Sequence, residues 1–292
     1  MAERAPLGRR LRHAVEIAGI LAAYAMFRVL PVDAASGFGG WIGRSLGPRL
    51  GLSRRARRNL SLAMPELSPA EVERVVRDMW DNLGRFAGEM PHSAAFDPAK
   101  GRIVVVGLEH AEAARAAGAA LFFSAHIANW ELLAVAARHH GIDLEFIYRA
   151  ANNPWVEQMI RNLRGGTLHP KGAQGARAAV TALRGGRPLA LLVDQKMNDG
   201  IAAPFFGRKA MTAPAVIDLA RKFKVPVYPV RIERLEGARF RVTVHPAFPV
   251  PSGPDRHADL AEGMARVNAL IEGWIRARPG QWLWLHRRWP ES

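Results

Sequence analysis

From Arg102 to the C-terminus the chain predicts an α/β fold, a mostly parallel sheet flanked by helices. Two observations predict it. Short, continuous apolar runs recur at Ile103 to Val106, Ala120 to Phe123, Leu144 to Tyr148, Pro188 to Val193 and Val225 to Arg231. Between them lie helix-like stretches at His110 to Ala116, Asn129 to His140, Pro154 to Arg164, Ala173 to Leu183 and Pro214 to Lys224. Continuous apolar strands suit a sheet covered on both faces, and strands separated by helices form units whose strands run parallel. With 292 residues, 49% of them hydrophobic, and no cysteine, the chain is expected to rely on a packed core, without disulfides or thiolate chemistry.

The segments before this unit read differently. Arg4, Arg9, Arg10 and Arg12 precede an apolar run from Ile17 to Phe27, closed by Arg28 and Pro31. That run is far shorter than the roughly 20 residues that span a bilayer, so residues 1–33 read as a helix lying in a membrane interface. An export signal has a similar apolar length, with Ala34-Ala35-Ser36 as small residues. The basic, cysteine-free remainder argues against export. Residues 34–101 form a helical, membrane-proximal region: a Gly-rich stretch over 37–53 with Trp41, a basic cluster at Arg54, Arg55, Arg57 and Arg58, and a helix from Pro69 to about Arg85. Ser68, Pro69 and Glu71 supply the N-cap, first-turn proline and capping-box acid of that helix.

The α/β unit fills residues 102–292. It continues through an alternating strand, Phe240 to His245, expected as an antiparallel edge, and a long helix from Ala258 to Ala277. The chain ends in Trp282-Leu283-Trp284-Leu285-His286-Arg287-Arg288-Trp289, where Trp282 and Trp284 read as core and the basic residues between tryptophans suit a membrane interface or carrier docking. Lys and Arg exceed Asp and Glu by 41 to 26, a formal charge of +15. Such a chain attracts anionic partners, and no nucleic-acid recognition motif accompanies the charge.

Ligands collect at the carboxyl ends of strands in open α/β sheets. Three predicted strands carry polar groups there: Ser124 and His126; Tyr148 and Arg149; Asp194, Gln195 and Lys196. His126-Ile127-Ala128-Asn129-Trp130-Glu131 is the most telling stretch. Five helical steps turn about 500°, so His126 and Glu131 meet only if the histidine lies in the turn and the acid in the first turns of the helix. The pair then reads as a general base, His126, with Glu131 on its second nitrogen. Asn129 either caps the helix or orients the site. No Ser or Cys nucleophile lies between the two, and adjacent His139 and His140 lack the acidic partners of a metal site.

These residues resemble the His-x4-acid motif of membrane glycerolipid and lipid A acyltransferases. The form His-x-x-Asn-Trp-Glu resembles the late acyltransferases of lipid A biosynthesis. So do Tyr148-Arg149, Asp194-Gln195, Asn59-Leu60, Pro204-Phe205-Phe206-Gly207, Ala213-Pro214 and the tryptophan-rich C-terminus. Ala128 stands where that family commonly has glycine. The resemblance implies a glycerolipid-acyltransferase-like sheet and transfer of a fatty acyl chain from an acyl carrier protein thioester to a hydroxyl of a lipid A precursor. It implies no cofactor and no metal, and a place on the cytoplasmic face of a bacterial inner membrane. In that chemistry His126 takes the hydroxyl proton, Glu131 steadies the imidazolium, and backbone amides at the start of the 129–140 helix face the oxyanion. Arg149 binds phosphate, with Asp194 and Gln195 orienting the acceptor sugar or supporting Arg149. Another glycolipid or lysophospholipid acceptor is the nearest alternative. A non-catalytic protein binding anionic lipid is the alternative from a different class.

Overall fold

The computed structural model describes residues 7–148, 157–158, 167–170 and 172–289. Four helices come first: α1 (Leu7–Val29), α2 (Val32–Leu46), α3 (Ser53–Ala63) and α4 (Pro69–Glu89). The start of α4 follows from its sequence. Ser68 Oγ accepts from the Glu71 amide and the Glu71 carboxylate accepts from the Ser68 amide, a reciprocal pair that satisfies two helix-end donors. The glycines of the 37–53 stretch have a packing role, because α2 lies against α4 at backbone contact. A Cβ on Gly84 would fall 2.0 Å from the Gly39 carbonyl oxygen.

The second part is a seven-stranded sheet of order β1-β9-β8-β2-β5-β3-β4. Its strands are β1 (Ile103–Val106), β2 (Leu121–Ser124), β3 (Glu145–Tyr148), β4 (Thr167–Pro170), β5 (Leu189–Leu192), β8 (Val227–Arg234) and β9 (Phe240–Val244). Strands β8, β2, β5, β3 and β4 run parallel, whereas β9 pairs antiparallel with β8 and parallel with β1. The sheet is therefore mostly parallel, as expected. The antiparallel strand is not its edge, however, because β1 lies outside β9 and takes that place. Val104 and Val106 of β1 are exposed accordingly.

Alternation along the strands divides the apolar side chains between two faces. Leu121, Phe123, Leu189, Val227, Ile232 and Phe240 join one large core, shared with helices α7 (Ala173–Arg184), α8 (Ala215–Phe223) and α9 (Arg256–Ala277). Phe122, Leu144, Tyr228 and Val244 form a second, smaller cluster with Ala111 and Ala114 of α5 (Leu108–Ala117). Helix α6 (Leu132–His139) follows β2. No helix among the described residues is long and apolar enough to cross a membrane.

Two elements escaped the apolar pattern. Strand β4, Thr-Leu-His-Pro, is too polar to show as a run. The hairpin of β6 (Lys196–Phe205) and β7 (Arg208–Thr212) mixes polar and apolar residues without a strand period and, among the described residues, pairs only with itself. Phe206 and Gly207 turn it, both at positive φ (53° and 67°), the two-residue geometry that matches strand twist. The expected helix Pro154 to Arg164 lies mostly outside the described residues, and so do Arg149 and Lys171.

Candidate active site

His126 occupies the turn between β2 and α6, at the carboxyl end of a central strand. Ala128 turns the chain there at φ 51°, in the left-handed region that a Cβ disfavours by roughly 1–2 kcal/mol. This gives a physical reason for glycine at that position. The Ala128 amide is held by the Gln281 carbonyl at 2.9 Å, and the His126 carbonyl accepts from the Leu283 amide at 3.2 Å. The turn is thus stitched to the C-terminal segment at and just before its strained residue.

The partner of the imidazole differs from the one its spacing suggests. His126 Nδ1 lies 2.8 Å from Asp194 Oδ1, and the His126 amide donates to Asp194 Oδ2 at 3.0 Å. The Trp282 indole donates to the same Oδ2 at 2.7 Å. Strand β5 pairs directly with β2, so the residue two past its end falls beside the residue two past the end of β2. Burial by itself would raise the Asp194 carboxyl. The charge and hydrogen bond of His126, with His286 and the Trp282 indole, outweigh it and hold the carboxyl well below the usual carboxylate range. Asp194 is therefore a buried, ionised hydrogen-bond partner of His126.

With Nδ1 committed, His126 Nε2 is the nitrogen left for chemistry. The Gln195 carboxamide nitrogen lies 3.1 Å from it and 3.4 Å from His286 Nε2. The two imidazole rings stand 5.0 Å apart at 67°. The sequence suits His286 to a membrane interface or carrier docking, and the fold brings it beside His126. Its segment is anchored by Asn59 Nδ2, which donates to the carbonyls of Trp284 and His286, each at 2.8 Å. Nothing local in the sequence carries this signal, since the two histidines are 160 positions apart.

Glu131 is the N-cap residue of α6, and its carboxylate accepts from the Trp130 indole at 2.9 Å. It borders the same cavity as His126, but Asp194 holds the Nδ1 that spacing had assigned to Glu131. Asn129 is buried and donates to Glu89 Oε2 at 2.9 Å, away from the cavity. Gln195 faces the cavity beside both histidines, and Arg149 falls outside the described residues. Donor atoms of His126, Asp194 and His286 lie within 4.8 Å of one another, the spacing of a possible cation site. Both Asp194 oxygens already accept N–H groups, so the arrangement fits a hydrogen-bonded pair better than a metal cage.

Behind this polar cluster runs an apolar cavity of about 390 Å³ between the sheet and α6. Phe122, Phe146 and Ala190 line it along the sheet, and Ala134 and Ala137 cover it from α6. The cavity extends as far as Ala111 and His140, whose Nε2 has no hydrogen-bond partner among the described residues. Burial and the neighbouring His139 push the His140 imidazole below its ordinary value, so that it stays neutral near pH 7.

A histidine held by a buried carboxylate thus borders an apolar cavity. Residues 1–291 match the model of the bacterial lipid A biosynthesis acyltransferase family, and the chain belongs to that family. It is similar to the lipid A biosynthesis myristoyltransferase of Escherichia coli strain K12, 28% identical over 84% of this chain and 77% of that protein. It is also similar to lipid A biosynthesis acyltransferase 2 of Shigella flexneri, 25% identical over 92% of this chain and 87% of that protein. The protein is an acyltransferase of lipid A biosynthesis.

Proposed function

We propose that the protein transfers a fatty acyl chain from an acyl carrier protein thioester directly to a hydroxyl of a lipid A precursor, at the cytoplasmic face of a bacterial inner membrane. The observation that carries this reading is His126 Nε2, backed by buried Asp194, at the opening of the apolar cavity. The cavity takes the acyl chain and leaves the thioester carbon beside the imidazole. His126 Nε2 removes the acceptor's hydroxyl proton as the oxygen attacks that carbon. The tetrahedral intermediate collapses with loss of the pantetheine thiolate, which recovers a proton from the imidazolium. Atoms and protons balance without an enzyme nucleophile.

Asp194 stabilises the imidazolium during this step and fixes the Nδ1–H tautomer. We assign the Gln195 carboxamide and His286, both beside His126, as donors to the thioester oxygen as it becomes negative, ahead of the backbone amides at the start of α6. Glu131 borders the opening from the α6 side, where its charge favours the imidazolium and disfavours a second anion. Its role is that of an electrostatic partner to His126 rather than a hydrogen-bonded orienter.

Membrane association is supported by exposed apolar side chains on the helical part. Leu21, Val29, Trp41, Leu46, Leu50 and Leu52 are exposed, with Phe38 stacked on Trp41 at 5.8 Å. Arg28, Arg44, Arg49 and Arg54 are exposed among them. An exposed apolar surface interleaved with arginines suits an anionic leaflet.

The test is transfer in detergent micelles from a panel of acyl carrier protein thioesters to tetraacylated lipid A precursor, read by mass spectrometry. One added acyl group, lost in His126→Ala, is expected. Transfer to a glycerolipid with none to lipid A would overturn the acceptor assignment, and retained turnover in His126→Ala would remove the base.

A further inference from the structure

Beneath the His126 turn lies a buried polar network that no step above uses. Its hub is the Glu89 carboxylate, 1% exposed at the end of α4. It accepts from Ser36 Oγ of α2 at 2.7 Å, from Asn129 Nδ2 at 2.9 Å, and from both Nη atoms of Arg234, with Nη2 at 3.0 Å. Arg234 ends β8, also buried, with its guanidinium over the Phe240 ring. Arg234 Nε donates to Asn82 Oδ1 at 2.9 Å. Asn82 Nδ2 reaches the Ala128 carbonyl at 3.2 Å and the Gln281 carbonyl at 3.4 Å. Gln281 closes the loop, its side chain exchanging two bonds with the Arg234 backbone at 2.9 and 2.8 Å.

We propose that Glu89, Arg234, Asn82 and Asn129 are positioning residues that set the separation of His126 and His286. The inference rests on the proposed role of His126. Its argument is connectivity. The network grips the His126 turn at Ala128 and Asn129, and it grips the His286 segment at Gln281. Those two backbones also bond each other, through Ala128 to Gln281 and Leu283 to His126. The Asn82, Asn129 and Gln281 side chains carry the bonds that cross between the helix and strand and the two segments that bear an imidazole. A core that only needed filling would be served as well by apolar side chains, whereas an ion pair with directed bonds fixes one arrangement. The grip is also needed where the turn is strained, at left-handed Ala128.

Asn82→Asp is the discriminating variant. It keeps the acceptor for Arg234 Nε, removes both donors to the loop carbonyls, and leaves the Glu89–Arg234 pair in place. Asn129→Ser is the second variant, should Asn82→Asp not fold. Each is measured for kcat and KM with dodecanoyl acyl carrier protein, for its melting midpoint, and for the ring resonances of 15N-histidine-labelled protein. The expected result is kcat lower by roughly 10- to 100-fold with KM within about twofold, as a sub-ångström to 1 Å misplacement of a base produces. The Nδ1 proton and ring nitrogens of His126 should shift with it. Unshifted His126 resonances in a folded variant would overturn the proposal. His126→Ala is run alongside in the same assay. If that variant keeps turnover, the catalytic reading fails, while the resonances still decide whether the network positions the ring.

Discussion

Asp194 Oδ1 lies 2.8 Å from His126 Nδ1, across a central pair of parallel strands, and this contact organises the site. Each residue sits two places past the end of its strand. The separation in sequence is 68 positions, and the separation in space is one hydrogen bond.

Asp194→Asn should keep the bond's geometry but lose the charge that stabilises the imidazolium. A side-chain amide can also donate toward Nδ1 and favour the wrong tautomer. The expected result is kcat reduced by about 10²- to 10⁴-fold, with KM for the thioester little changed. Steady-state kinetics at several thioester concentrations check it, and a variant within threefold of the parent kcat would exclude the orienting role.

The same carboxyl makes a prediction about stability and pH. Its folded-state value is depressed below the ordinary carboxylate value, so its contribution is present above the unfolded value of 3.8 and is lost as pH falls through the folded one. The stability difference between the parent and Asp194→Asn should therefore persist from neutral pH to about 4 and shrink only below that. Urea unfolding at stepped pH reads it directly. A difference that already collapses between pH 7 and 5 would mean that Asp194 is not the group responsible.

Ala137 of α6 borders the apolar cavity, and Ala137→Leu would fill part of it. If the cavity measures the acyl chain, longer donors lose contacts that shorter ones never made. Each methylene forced out of the cavity costs about 0.8 kcal/mol, roughly fourfold in kcat/KM. Preference across a series of acyl chain lengths should move toward shorter chains. An unchanged length profile in an active variant would place the chain elsewhere.

Val29 and Trp41 are the clearest of the exposed apolar side chains on the helical part, at 81% and 52% exposure. Replacing both with aspartate should weaken partition onto vesicles containing anionic lipid by at least tenfold per site, since each buried apolar side chain contributes about 1.5–3 kcal/mol. Vesicle sedimentation checks this. Equal binding of parent and variant would show that another surface meets the bilayer.

Much of this protein is legible in its sequence, where the physics is local. Period and run length mark the parallel strands and their helices, because side chains buried on both faces must be apolar. Ser68 and Glu71 mark the start of α4, because capping acts within one turn. The strand-end position of His126 is legible for the same reason. The hairpin β6–β7 is not, since its strands pair with each other outside the main sheet and need not be continuously apolar.

What tertiary structure alone decided is which carboxylate serves the histidine. Spacing could test only Glu131, the acid near His126 in sequence, and the fold instead delivers Asp194 from the neighbouring strand. His286 reaches the same point through the C-terminal segment, held by Asn59 from α3. Glu89 and Arg234, from α4 and β8, meet beneath both. The sequence by itself determined most of the elements and the strand-end place of His126. The partners of that histidine were set by strand order and long-range hydrogen bonds, which depend on which segments become neighbours and leave no periodic trace in the chain.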